Sequence, residues 1–207
     1  MKRSAEHTTL PACNCPGILE AGTDEAGRGC LAGPVFAAAV ILPDDFSHPF
    51  VNDSKKLTES VRMELREMIM DKAVAWAIAS CSPAEIDKLN ILRASITAMH
   101  RALSQLNPQP GAVIVDGNKF IPYADLPWTT FVKGDGRFAN IAAASILAKT
   151  ERDLYMTHAA EEYPAYGWEI NKGYPTAAHR KAIAENGPTP LHRMSFTLLP
   201  VAQTKLF

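Results

Sequence analysis

A mixed-sheet α/β fold of five strands flanked by helices is what this sequence predicts, on three observations. Val35 to Leu42 is a continuous apolar run of strand length, as a strand buried on both faces would be. Three strand-like segments come early with little between them, and strands then alternate with helical patterns. No internal repeat or low-complexity linker divides the chain, so one domain is expected.

In chain order, residues 1–16 show neither helical nor strand periodicity and are expected to form a loose tail, leaving 17–207 as the single folded domain. Ile18 to Asp24 reads as the first strand, ending at the acidic pair Asp24-Glu25, and Gly33-Pro34 punctuates before the apolar second strand. A polar loop, Asn52-Asp53-Ser54-Lys55-Lys56, leads into a helix with Leu57, Val61, Leu65, Met68 and Ile69 on one face. Ala73 to Ser80 reads as a third strand. Ser82-Pro83-Ala84-Glu85 then supplies an N-cap, a proline at the first helical position and a capping-box glutamate. The helix it starts is expected to run through Ile86, Leu89, Ile96, Met99, Leu103 and Leu106 to Asn107-Pro108. Ala112 to Val115 is a short apolar fourth strand that delivers Asp116, and Thr129 to Lys133 a fifth, ending at Gly134-Asp135-Gly136. A long helix from about Phe138 to Tyr163 carries Ala142-Ala143-Ala144-Ser145, small enough to approach a sheet closely. A helix over about Ala177–Asn186, closed by Gly187 and Pro188, forms a helical C-terminal extension.

The 207 residues suffice for one full core. Apolar residues at 47% and charged residues at 21% are ordinary for a soluble globular protein. No apolar run approaches membrane-spanning length, and no hydrophobic segment follows Met1-Lys2-Arg3 to make an export signal, so neither membrane nor secretion is expected. Cys13, Cys15, Cys30 and Cys81 form no disulfide framework, and Cys13-x-Cys15 lacks a second pair at zinc-ligand spacing. Reduced thiols in the cytoplasm follow. A net charge of −1 argues against coating nucleic acid by bulk charge. The end of the chain is nonetheless basic: from Trp168 onward five Lys and Arg face only Glu169 and Glu185.

Asp24, Asp116 and Asp135 each end a strand-like segment, and ligands of open α/β sheets gather beyond the carboxyl ends of strands. If the first and fourth strands are neighbours, Asp24, Glu25 and Asp116 meet at one rim. Such carboxylates cannot all stay ionised together without a compensating cation, and an oxygen-only set suits Mg2+ or Mn2+. Alternation along a strand turns Asp24 and Glu25 to opposite faces, so the backbone is expected to leave regular strand geometry at or just after Asp24. Asp116 and Asp135 taken singly read as turn formers, since each neighbours glycine, and it is their occurrence together after separate strands that points to a site. Gly27-Arg28-Gly29 is either a tight turn or a reader of ribose and phosphate, with bare backbone groups at the glycines and Arg28 pairing a phosphate. Tyr174 reads as a half-buried ring, and Lys55, Lys56 and Lys172 as candidate phosphate contacts or solvated lysines.

Seven segments in one order carry a resemblance. They are Asp24-Glu25-Ala26-Gly27-Arg28-Gly29, Asp53-Ser54-Lys55-Lys56-Leu57, Asp116-Gly117-Asn118, Lys133-Gly134-Asp135, Ala142 to Lys149, Lys172-Gly173-Tyr174 and His192-Arg193-x-Ser195-Phe196. The series resembles ribonuclease HII, the type 2 ribonuclease H, over roughly Gly17 to Pro200. The resemblance implies a ribonuclease H-like fold and a metal-dependent endonuclease. It would cut the RNA strand of RNA–DNA hybrids and duplex DNA with an embedded ribonucleotide. Asp24, Glu25, Asp116 and Asp135 would be the catalytic, metal-binding carboxylates of a two-metal site using Mn2+ or Mg2+. Gly27, Arg28 and Gly29 would read the 2′-hydroxyl and its phosphate, while Tyr174 stacks on the adjoining deoxyribose. Asn171 stands where the family often has His, which leaves its role open. A monomer is expected. Two alternatives stand beside this reading: a resolvase-like nuclease indifferent to the 2′-hydroxyl, and a hybrid binder without catalysis.

Overall fold

The computed structural model describes residues 9–49, 51 and 58–200. Its five strands are β1 (Glu20–Ala26), β2 (Val35–Ile41), β3 (Ala75–Cys81), β4 (Ala112–Asp116) and β5 (Trp128–Phe131). They form one mixed sheet in the order β3-β2-β1-β4-β5. β2 runs antiparallel to both β1 and β3, whereas β1, β4 and β5 are parallel. The parallel pairing of β1 with β4 brings the carboxyl ends of those two strands side by side.

Helices cover both faces, and the pleat of β2 shows how. Val35, Ala37, Ala39 and Ile41 point into one core with Ala94, Ala98, Met99, Ala102 and Leu103 of α3 (Ile91–Ser104). Ala38 and Val40 point the other way, into a second core. There they meet Leu65 and Ile69 of α1 (Glu59–Lys72) and the small residues of α4 (Ala139–Glu162). A run apolar at every position is what a strand covered on both sides needs. A third core joins the far end of α4 to Tyr166, to Trp168 of the short α5 (Trp168–Asn171) and to Ile183 of α6 (Ala177–Asn186).

Close approach of α4 to the sheet depends on more than its alanines. Gly22 in β1 lies so near α4 that a Cβ there would sit 2.3 Å from the backbone carbon of Asn140. Asn140 itself is buried and bridges two strands, accepting from Leu42 N at 2.9 Å and donating to Glu20 O at 2.7 Å.

The structure corrects four expectations. β1 stays paired with β2 beyond the acids, Glu25 opposite Ala37 and Ala26 opposite Phe36, so regular strand geometry ends only at Gly27. The helix that Ser82 starts is not continuous. Its capping box forms as expected over α2 (Pro83–Leu89), but Asn90 takes φ 68° and caps α3 with its own side chain, which accepts from Arg93 N at 3.1 Å. Asparagine side chains compete with the helical backbone in this way. β5 ends at Phe131, since Lys133 at φ 57° turns the chain into the 3-10 turn Gly134–Gly136. The described end of the tail is not loose, because Pro11 O and Ala12 O accept from Ala139 N and Asn140 N and so satisfy the start of α4. Lys55, Lys56 and Leu57 lie outside the described residues.

Candidate active site

Asp24, near the carboxyl end of β1, is buried on the face covered by α4, where Ser145 hydrogen-bonds its carboxylate. Its Oδ1 also accepts the Glu25 amide at 2.7 Å. Alternation sends Glu25 to the opposite face, where it lines a small cleft with Arg28, Ser95, Asp116, Gly117 and Lys119. Arg28 reaches back to Glu25, Nη1 to Oε1 at 3.0 Å. Asp116, at the end of the neighbouring strand, accepts the Gly134 amide on Oδ1 at 2.7 Å. That bond joins the fourth-strand rim to the turn carrying Asp135, which is itself buried. Without any break in the strand, Asp24 and Asp116 thus lie on one face of the sheet and Glu25 on the other, where it lines a cleft with Asp116 at the strand end.

Burial and mutual repulsion dominate the electrostatics of these carboxylates. Burial, followed by the charges of Glu25 and Asp116, pushes Asp24 well above the ordinary carboxylate range; Ser145 and the Glu25 amide offset this only in part. Glu25 is also raised by burial, against the opposing pull of Arg28. Arg28 supplies its positive charge to Glu25, and divalent ions, if bound, would compensate the other acids. The donor set is all oxygen, which fits Mg2+ or Mn2+. Among the described residues no three acidic, His or Cys side chains are gathered tightly enough to hold an ion as they stand.

Three loops pack beside the rim. Gly27 has φ +94°, and Cys30 N closes the turn onto Gly27 O at 3.3 Å. Leu31 N donates to Gly173 O at 2.8 Å, so the Gly27-Arg28-Gly29 turn is tied to the Lys172-Gly173-Tyr174 loop. Arg193 is fully buried and binds the carbonyls of Arg28, Gly33 and Pro34. Tyr174 is 38% exposed, and its hydroxyl bonds with Cys30. Lys172 Nζ rests on Thr157 Oγ1 at 2.5 Å. Asn171 acquires a role, as its Oδ1 accepts the Gly173 amide and its Nδ2 donates to Tyr166 O, shaping the loop that presents Tyr174.

Beneath that loop lies a buried histidine pair that carries no signal in the sequence beyond His192 opening the last matching segment. His179 Nε2 accepts from Trp168 Nε1 at 2.9 Å, and its Nδ1 lies 2.9 Å from Tyr174 O. His192 Nδ1 accepts from Thr189 N at 2.9 Å. Burial and the neighbouring His179 push His192 down from its ordinary 6.5 to about 4. The folded protein therefore binds fewer protons than the unfolded chain between those values, and stability falls as pH drops from 6.5 towards 4. The expected loss from His192 is roughly 1.4 kcal/mol per pH unit within that window. Thermal melts of the parent and His192→Asn from pH 7 to pH 4.5 should converge as pH falls; parallel curves would remove His192 as the source.

The family model for ribonuclease HII matches residues 21–199. The chain belongs to the ribonuclease HII family. A ribonuclease HII of Parabacteroides distasonis is 62% identical over 184 residues, covering 89% of this chain and 92% of that protein. One from Bacteroides thetaiotaomicron is 60% identical over 189 residues, covering 91% and 94%. Among solved structures, the ribonuclease HII of Archaeoglobus fulgidus, determined in complex with PCNA, aligns at a TM-score of 0.72 and 27% identity. That alignment covers 91% of this chain and 98% of the other. The ribonuclease H2 of Pyrococcus horikoshii shares the fold at a TM-score of 0.73, with 86% and 94% covered at 24% identity. The chain is accordingly a ribonuclease H, with the five-stranded mixed sheet of its ribonuclease HII relatives and a helical C-terminal region.

Proposed function

We propose that this ribonuclease H is a divalent-metal-dependent endonuclease acting on two substrates. It hydrolyses the RNA strand of RNA–DNA hybrids, and it cuts on the 5′ side of a single ribonucleotide embedded in duplex DNA. The products carry 5′-phosphate and 3′-hydroxyl ends, which suits RNA primer removal and ribonucleotide excision. The observation that carries this reading is the bond from Leu31 to Gly173. It makes the Gly27-Arg28-Gly29 turn and the Tyr174 loop one unit beside the carboxylate rim.

Each residue then has a task. Asp24, Glu25, Asp116 and Asp135 would hold Mn2+ or Mg2+. Ions bound there supply water activation and stabilisation of the leaving 3′-oxygen. Backbone groups at Gly27 and Gly29 meet the 2′-hydroxyl, which both donates and accepts a hydrogen bond, while Arg28 pairs the adjacent phosphate. Glu25 holds Arg28 in place until substrate arrives. Tyr174 stacks on the deoxyribose of the junction, and Lys172, together with Lys55 and Lys56 from outside the described residues, would pair backbone phosphates. Residues 17–207 act as one catalytic domain in a cytoplasmic monomer. The cysteines at positions 13, 15, 30 and 81, all unpaired, accord with a reducing compartment.

One assay tests the reading. A DNA duplex with one embedded ribonucleotide is incubated beside an all-DNA duplex with Mg2+, Mn2+ or chelator. Cutting at the ribonucleotide alone, abolished by chelator, is expected. Equal cutting of both duplexes would favour a nuclease indifferent to the 2′-hydroxyl.

A further inference from the structure

We infer that Arg152 is a positioning residue for ribonucleotide selection: it fixes the spacing between the Gly27-Arg28-Gly29 turn and Tyr174. This rests on the function proposed above and assigns it a residue outside the reading loops. Arg152 lies on α4, only 1% exposed. Its Nη2 donates to Ala32 O at 3.2 Å and to Lys172 O at 2.8 Å. The first carbonyl belongs to the segment leaving the glycine turn, and the second to the loop presenting Tyr174, so one guanidinium ties the two readers together.

Shape reinforces the tie on both sides. A Cβ on Gly27 would stand 2.0 Å from Arg152 Nε and 2.4 Å from its Cδ, so the turn seats directly against this side chain. On the other side, Arg152 Cζ lies 5.6 Å from the centre of the Tyr174 ring, within cation–π range. A shift of Arg152 therefore moves turn and ring together.

Its charge calls for an explanation that packing does not give. Arg152 Nε and Nη1 are buried without a hydrogen-bond partner among the described residues. Buried cations left unsatisfied are costly, and an apolar side chain of similar length would fill the volume at less cost. A planar, fixed cation is suited to holding two carbonyls at a set angle. Set directly behind loops that clasp a phosphate backbone, it also adds attraction for that polyanion.

The consequence is selective. A single ribonucleotide in DNA must meet the 2′-hydroxyl reader and Tyr174 in one register, so their spacing decides whether it is cut. A continuous RNA strand offers a 2′-hydroxyl at every step and depends less on that spacing. The test is single-turnover cleavage of both substrates by the parent, Arg152→Met, Arg152→Lys and Arg28→Ala, with thermal melts to confirm folding. In either folded Arg152 variant, cutting at the embedded ribonucleotide should fall roughly tenfold more than cutting of the uniform hybrid, the scale of a small misplacement of reacting groups. Lysine can reach one carbonyl but not hold both, so Arg152→Lys decides the matter if Arg152→Met does not fold. Both substrates falling in equal proportion would make Arg152 a structural strut and overturn the inference. A parent enzyme that ignores the embedded ribonucleotide would overturn the underlying function as well. Loss of cutting in Arg28→Ala beside an unchanged substrate ratio in the Arg152 variants would sink the Arg152 assignment alone.

Discussion

Asp116→Asn should lower the rate of phosphodiester cleavage on the order of a thousandfold while the protein folds as before. The structure separates the two effects. Asp116 accepts the Gly134 amide on Oδ1 at 2.7 Å, and an asparagine oxygen accepts that bond equally well. What asparagine removes is a negative charge that acts on both Asp24 and Glu25 and that metal ions at this rim would use. Loss of one anionic ligand weakens both metal binding and stabilisation of transition-state charge, together several kcal/mol. Relief of repulsion against buried Asp24 should leave the melting temperature equal or slightly raised. The check is single-turnover cleavage in Mg2+ and in Mn2+ together with a thermal melt. Normal cutting by a folded Asp116→Asn would end the assignment of this rim as the catalytic centre.

Gly22→Ala is expected to be the most damaging single-methyl change in the sheet. An added Cβ would lie 2.3 Å from Asn140 C, 2.4 Å from Ile141 N and 2.6 Å from Asn140 Cβ. Two of these are backbone atoms of a helix, which cannot swing aside as a flexible side chain would. Accommodation must lift the start of α4 from β1, and with it the Asn140 amide that bridges Leu42 N and Glu20 O. The loss should be roughly 3 kcal/mol, at the upper end of overpacking, or a melting temperature about 10 °C lower. Gly29→Ala is the control for stability, because nothing stands within 4 Å of its Cβ. Equal melting temperatures for the two variants would show that α4 packs less closely on β1 than the structure has it.

Much of the candidate site could be read from the residues. The apolar run of β2 declared burial on both faces by having no polar position. Asp116 declared itself by ending a short apolar strand. The capping box at Ser82 marked a helix start with its own hydrogen-bond chemistry. Each of these signals is local, carried by neighbours within a few residues.

What escaped were matters of pairing and packing. The strand β1 was expected to break after Asp24 so that Glu25 could turn inward. It does not, because β2 continues to pair with it, and Glu25 stays on the face opposite Asp24, lining a cleft with Asp116. Asn90 ends one helix and caps the next, although its surroundings read as continuous apolar periodicity. Arg152, Arg193, Asn140 and the pair His179 and His192 work through partners distant in the chain: Arg152 reaches Ala32 across 120 positions and Arg193 reaches Arg28 across 165. The sequence by itself determined the sheet-and-helix class, the family and the carboxylates at its strand ends, since periodicity and ordered motifs are written along the chain. Only the tertiary structure decided on which face of the sheet each acid lies and what holds Tyr174 beside the glycine turn. Strand pairing and buried hydrogen bonds join residues that have no relation until the chain is folded.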